Sequence, residues 1–137
     1  MIKQIFVNLS VKNLNKTMKF FSKVGFRFNP QFTDKNATCL ILGKNIFAML
    51  MTEKTMKRFT KKKVINTRKN MEVINSLFLG SRREVDQMMK KVKAAGGKET
   101  RKADDYGWMY GRAFQDIDGH LWEVFYMNIK KAPKTQK

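Results

Sequence analysis

The sequence is poor in the residues that build disulfide-linked or histidine-rich sites. It contains one cysteine, Cys39, and one histidine, His120, among 137 residues. A single cysteine excludes an internal disulfide and is typical of a reducing compartment, so we expect a cytoplasmic protein. A single histidine excludes any site that needs two histidine ligands from one chain.

Long hydrophobic runs are also missing. No apolar stretch approaches the ~20 residues that a bilayer-spanning helix needs. The first residues show no apolar segment followed by a small-residue cleavage site, as a secretion signal would. Hydrophobic residues nevertheless make up 42% of the chain, which is enough for a folded core. We therefore expect a folded domain without a membrane partner.

Acidic residues are scarce, and the resulting positive charge is unevenly distributed. The chain has 29 Lys and Arg against 11 Asp and Glu, a net charge of +18. Residues 54–70 hold eight Lys and Arg and no acid, and residues 130–137 hold four Lys and no acid. We interpret these segments as a basic linker and a flexible basic tail. A nucleic-acid or phosphate-surface binder using them ranks last, because no RNA-binding aromatic signature or helix-turn-helix pattern accompanies the charge.

The hydrophobic pattern predicts the same order of elements twice. In residues 2–53 it predicts a strand at 2–9, a helix at 13–24 ended by Gly25, and strands at 26–32, 37–42 and 46–52. In residues 71–129 it predicts a strand at 71–79, a helix capped by Ser81 and ended by Gly96, and strands at 98–103, 108–115 and 120–127. Residues 1–137 are thus one domain of two βαβββ modules. Because neither half can readily bury a core alone, we expect paired modules and a homodimer.

The closing stretch, residues 111–124, carries a more specific pattern. A strand leads into the turn Asp116-Ile117-Asp118-Gly119, and the next strand carries Glu123. With the doubled βαβββ order, this resembles the vicinal oxygen chelate superfamily, which includes glyoxalase I, fosfomycin-resistance and bleomycin-resistance proteins and extradiol dioxygenases. The resemblance implies an α+β fold in which the two modules form paired, open, U-shaped sheets. Their inner faces would line a cleft.

The resemblance also implies where metal ligands would lie, on the first and last strands of each module. Glu123 matches the ligand of the closing strand. The other three positions fall at Phe6 or Asn8, near Ala48, and among Asn75, Leu77 and Leu79. These are poor ligands for a divalent metal. We therefore predict no metal site and no cofactor.

The same resemblance, combined with strand alternation, predicts a cleft with aromatic and methionine walls. It would suit a small organic molecule, and the net charge favours a neutral or anionic one over a cation. An alternative is a metal-independent lyase or isomerase with Glu123 as general base, since a buried Glu would have a raised pKa. Whether the protein is an enzyme stays open at this point. The predicted ligand-binding residues are Phe6, Asn8, Tyr106, Trp108, Met109, Gly111, Ala113, Leu121 and Phe125.

Overall fold

The computed structural model describes residues 1–134 and divides the chain into two compact units. Unit 1 is Met1–Asn70 and unit 2 begins at Met71. This boundary places the predicted basic linker, residues 54–70, inside unit 1. The predicted tail is described only to residue 134, and a short 3-10 helix covers Ile129–Lys131. Residues 135–137 of the tail prediction lie outside the described part of the chain.

Unit 1 is a four-stranded sheet with one long helix. The elements are β1 (Ile5–Val11), α1 (Leu14–Val24), β2 (Arg27–Asn29), β3 (Ala37–Gly43), β4 (Ile46–Thr52) and α2 (Glu53–Met56). The strands run in the order β1-β4-β3-β2, and β1 pairs with β4 in parallel, from Ile5 opposite Ile46 to Val11 opposite Thr52.

Helix α1 forms where the sequence supplies both of its end signals. The side chain of Asn13 accepts a hydrogen bond from the backbone N–H of Lys16, which caps the first turn. Gly25 ends the helix with φ 112°, a left-handed conformation that glycine adopts without strain. The buried face contains Leu14, Phe20, Phe21 and Val24, while Met18 is only half-buried.

The prediction of one strand over residues 26–32 is wrong in its second half. Strand β2 stops at Asn29, and Pro30–Phe32 form a 3-10 helix. Pro30 has no backbone N–H to donate to a neighbouring strand, and Asn29 caps the new turn by accepting from the N–H of Gln31 at 3.0 Å. Strand β3 buries Cys39 completely, and burial raises the pKa of its thiol.

Unit 2 repeats the arrangement with one strand divided. The elements are β5 (Ile74–Phe78), α3 (Arg82–Ala94), β6 (Lys98–Glu99), β7 (Asp104–Asp105), β8 (Met109–Gln115) and β9 (Leu121–Met127). The sheet order is β5-β9-β8-β6, with β7 also paired to β8, and β5 pairs with β9 in parallel. The prediction of one strand over residues 98–103 is wrong, because β6 and β7 pair with β8 as two separate short strands.

The turn between β8 and β9 is organised by the buried carboxylate of Asp116. It accepts hydrogen bonds from the backbone N–H groups of Asp118 and His120 at 2.9 and 3.0 Å. It also accepts one from the indole N–H of Trp122 at 3.0 Å. Burial raises the pKa of Asp116. The Asp-x-Asp-Gly pattern therefore anchors the largest core side chain of unit 2.

No helix within residues 1–134 is long and apolar enough to cross a membrane.

Candidate functional site

The open face of the unit 2 sheet forms a cavity of about 250 Å³. Residues Met109 and Gly111 on β8 and Glu123 and Phe125 on β9 share this face. A Cβ atom built on Gly111 would lie 3.4 Å from the Cβ of Phe125 and 3.6 Å from the sulfur of Met109. The glycine therefore leaves room where a side chain would project between two cavity walls. The lining is completed by Ser76, Arg101, Asp104, Trp108 and Met127.

Glu123 lies in this cavity with both carboxylate oxygens engaged. Its Oε1 accepts a hydrogen bond from the hydroxyl of Ser76 at 2.7 Å. Its Oε2 is ion-paired with the guanidinium of Arg101. Arg101 also donates a hydrogen bond to the carboxylate of Asp104 at 2.5 Å. The contact with Asp104 is the largest cause of the raised pKa of Arg101, and the contact with Glu123 adds to it. The carboxylate is therefore held in a charge-assisted network.

Sequence reasoning missed Arg101, Asp104, Ser76 and Met127. Arg101 lies in the stretch between β6 and β7 and reaches Glu123, 22 positions along the chain. No spacing rule links such a pair, so a local pattern could not have found it. Ser76 could have been found by alternation, because it lies opposite Glu123 in the parallel pair of β5 and β9.

The predicted ligand residues do not all meet at this cavity. Trp108, Met109, Gly111 and Phe125 line it, whereas Ala113 and Leu121 lie on the same two strands without lining it. The ring of Tyr106 stacks on Trp108 with centroids 6.2 Å apart and is 62% exposed. Of these two predicted aromatic residues, Trp108 therefore lines the cavity and Tyr106 does not.

The remaining two predicted residues, Phe6 and Asn8, belong to the sheet of unit 1. Phe6 stacks on Phe47 with ring centroids 4.8 Å apart, and Asn8 lies opposite Met49. Asn8 and Met49 therefore occupy the register positions that Ser76 and Glu123 occupy in unit 2.

This register corrects two of the implied ligand positions. The counterpart of Glu123 in unit 1 is Met49, because Ala48 points to the buried side of β4. On β5 the face shared with Glu123 contains Ser76, because adjacent residues of a strand point to opposite sides. The positions predicted on the first strand of the second module, Asn75, Leu77 and Leu79, are therefore wrong.

The side chains around Glu123 do not fit the divalent metal that the resemblance implies. The neighbours of its carboxylate are a serine hydroxyl and a guanidinium cation. A cation already bound to the carboxylate competes with a metal for the same oxygens. Within residues 1–134, no three His, Cys, Asp or Glu side chains are grouped so that they could hold a metal ion.

The fold and this closing motif agree with a family-level comparison. Residues 3–124 match the family model of the Glyoxalase/Bleomycin resistance protein/Dioxygenase superfamily, so the chain belongs to this superfamily. A solved structure of hypothetical protein SA1046 from S. aureus is 28% identical, with a TM-score of 0.78 over 92% of this chain and 94% of that one. A glyoxalase-related enzyme from Fulvimarina pelagi has the same fold at 20% identity, with a TM-score of 0.76 over 91% and 88% of the two chains.

A curated relative is much longer than this chain. It is a tRNA (guanine-N(1)-)-methyltransferase from Chlamydia caviae, 30% identical over 124 residues. The match covers 90% of this chain but only 30% of that protein.

Proposed function

We propose that the protein binds a small, uncharged organic molecule in the cavity of unit 2. The observation that carries this proposal is Gly111, whose missing side chain leaves the space between Met109 and Phe125 open. The remaining walls, Trp108 and Met127, are large and apolar. A cavity of about 250 Å³ lies near the lower end of ligand pockets and suits a molecule of one or two rings.

The charge inside the cavity narrows the ligand class. The net charge of the whole chain favours a neutral or anionic ligand over a cation. The cavity itself is lined by one cation, Arg101, and two carboxylates, Asp104 and Glu123, so it does not share the positive charge of the chain. An anion would lie beside these carboxylates. We therefore narrow the proposal to a neutral ligand with a hydrogen-bonding group near Ser76.

The test is a titration with the uncharged, two-ring fluorescent probe 6-propionyl-2-(dimethylamino)naphthalene. Replacing Gly111→Leu fills the cavity, and we expect probe binding to weaken at least tenfold. Gln115→Leu is the matched control, because it adds the same side chain on the same strand outside the cavity, and it should bind like the wild type. Equal binding by the wild type and Gly111→Leu would overturn the proposal.

A lyase or isomerase with Glu123 as base is less well supported. A general base needs a carboxylate oxygen free to reach the substrate proton. Both oxygens of Glu123 are engaged, by Ser76 and by Arg101. We propose no methyltransferase activity, because the chain spans only 30% of the methyltransferase it matches.

We also propose that the protein is a homodimer, on the ground that each half of the chain is small for an independent core. Light scattering on the protein as it elutes from a size-exclusion column should then give twice the chain mass of 16.1 kDa. A monomer mass at micromolar concentration would refute this.

A further inference from the structure

Unit 1 carries most of the charge of the chain. Residues 1–70 contain 16 Lys and Arg against two acids, Asp34 and Glu53, a net charge of +14. The remaining residues contain 13 Lys and Arg against nine acids, a net charge of +4. Eight of these 16 basic residues lie within residues 54–70 and eight lie elsewhere in the unit, so the positive charge is a property of the whole folded unit. We propose that unit 1 binds single-stranded nucleic acid through this charge.

The first part of the binding surface is residues 54–70, whose eight Lys and Arg are all exposed. The segment packs back on its own unit. Val64 and Ile65 line a cavity of about 390 Å³ together with Ser10 and Lys12, at the point where β1 leads into α1. Glu53 lies just before the segment, and its carboxylate Oε1 is 3.6 Å from the Nζ of Lys57. This pair involves one of the eight cations, and both of its side chains are more than half exposed.

The second part is the exposed side of α1. Lys16, Lys19 and Lys23 are all exposed, and their spacing of three and four residues places them along one side of the helix. The helix contains no acidic residue. At 1.5 Å per residue, this row extends about 10 Å along the helix axis. Such a row can follow a chain of phosphate groups.

The sheet register places the two parts at a common edge. Strands β1 and β4 pair in parallel and end side by side, with Val11 opposite Thr52. Lys12 and Glu53, the residues that follow, therefore leave the sheet at the same edge. Lys12 and Lys63 line the same cavity, which connects the start of α1 with the basic segment. We call Lys12, the α1 lysines and residues 54–70 the basic surface.

Phe59 favours a single strand over a duplex. Its side chain is 71% exposed and lies between Arg58 and Lys61–Lys63 in sequence. Single-strand binders combine cationic side chains with aromatic rings on which unpaired bases stack. Bases inside a duplex are already stacked. A membrane surface is less suitable, because α2 has four residues and cannot form an amphipathic helix that lies in a bilayer.

The experiment measures fluorescence anisotropy of labelled 20-nucleotide RNA, DNA of the same sequence, and its duplex, at 50 and 200 mM NaCl. We expect both single strands to bind and the affinity to fall at least tenfold across this salt range. The triple variant Lys61→Gln, Lys62→Gln and Lys63→Gln should weaken binding at least tenfold at 50 mM NaCl. It should also reduce the slope of log affinity against log salt by about 2.

A matched control removes the same charge from unit 2. Lys90→Gln, Lys91→Gln and Lys98→Gln replace three exposed lysines, and binding should change less than threefold. Phe59→Ala should weaken single-strand binding roughly fivefold or more and leave duplex binding unchanged. Far-UV circular dichroism of each variant verifies that the fold persists.

Several outcomes would overturn the proposal. Equal losses in the two triple variants would show that binding follows net charge alone and has no defined surface. Equal duplex and single-strand affinities, with no effect of Phe59→Ala, would exclude base stacking. Tighter binding to phosphatidylglycerol vesicles than to RNA or DNA would assign the surface to a membrane. RNA and DNA are distinguished by their relative affinities, and either preference supports the proposal.

Discussion

The two units share a strand topology but differ in the chemistry of their open faces. In each unit the first strand pairs in parallel with the last, and Asn8 opposite Met49 corresponds to Ser76 opposite Glu123. In unit 1 this face holds stacked aromatic rings, whereas in unit 2 it holds a carboxylate bound by Arg101. The same strand register therefore presents different side chains on the open faces of the two units.

The units also differ in how they use acidic residues. Unit 1 has two acids for 16 basic residues, so most of its cations face solvent. Unit 2 places five of its nine acids beside specific arginines. The carboxylate of Glu99 accepts two hydrogen bonds from Arg112, each 2.8 Å, and Asp105 pairs with Arg82. The charged side chains of unit 1 are therefore mostly solvent-exposed cations, whereas many of those in unit 2 form ion pairs with each other.

The prediction with the largest expected effect tests whether the two units unfold independently of each other. Phe21 in unit 1 is 1% exposed, and Phe21→Ala should lower the free energy of unfolding by about 3–5 kcal/mol. Both tryptophans, Trp108 and Trp122, lie in unit 2, so their fluorescence reports that unit alone. Because each half is small for an independent core, we expect the urea transitions by fluorescence and by circular dichroism to shift together.

The control for this prediction is Phe32→Ala, which removes a half-exposed ring from the same unit. It should lower the free energy of unfolding by less than about 1 kcal/mol. If Phe21→Ala leaves the fluorescence transition in place while the dichroism signal splits, the units unfold independently. The expectation that neither half can be stable alone would then be wrong.

The buried parts of the two units could be predicted from the sequence better than their open faces. Both long helices and their glycine ends, Gly25 and Gly96, follow from local signals and are confirmed. Alternation failed on β5, because Ile74 and Phe78 are apolar yet exposed, so hydrophobicity did not mark the buried side. Arg101 was missed because its partner Glu123 is distant in sequence and becomes its neighbour only through folding.

A smaller effect tests the paired acids of unit 2 through pH. The hydrogen bond with Arg112, assisted by Lys93, lowers the pKa of Glu99 to about 2. Because the folded pKa is below the ordinary value of 4.5, the stabilisation is complete above pH 4.5 and is lost as the pH falls towards 2. Glu99→Gln should therefore cost about 2 kcal/mol at pH 7 and almost nothing at pH 2, measured by urea unfolding.

The comparison residue for that experiment is Asp105. Arg82 also lowers the pKa of Asp105 to about 2, but this ion pair is half-exposed to solvent. Water screens such a pair, so Asp105→Asn should cost less than Glu99→Gln at pH 7. A larger cost for Asp105→Asn would show that burial does not decide the strength of these pairs.

The smallest effect is expected in unit 1. Glu53 and Lys57 form an ion pair one helical turn apart, and both side chains are more than half exposed. Glu53→Gln should change the free energy of unfolding by about 0.5 kcal/mol or less. A cost comparable to that of Glu99→Gln would mean that unit 1 depends on ion pairing as unit 2 does, and the contrast between the units would fail.

The parallel pairing of first and last strands has a consequence for how fast each unit folds. Ile5 must meet Ile46, and Ile74 must meet Leu121, so each sheet is completed only when the intervening 40 or 46 residues have been arranged. Closing a long loop before its contacts form slows folding, whereas the neighbouring pair β3 and β4 needs only a short turn. Addition of the first strand is then the late step. A chain emerging from the ribosome would carry its N-terminal strand without a partner until the last strand of unit 1 is made.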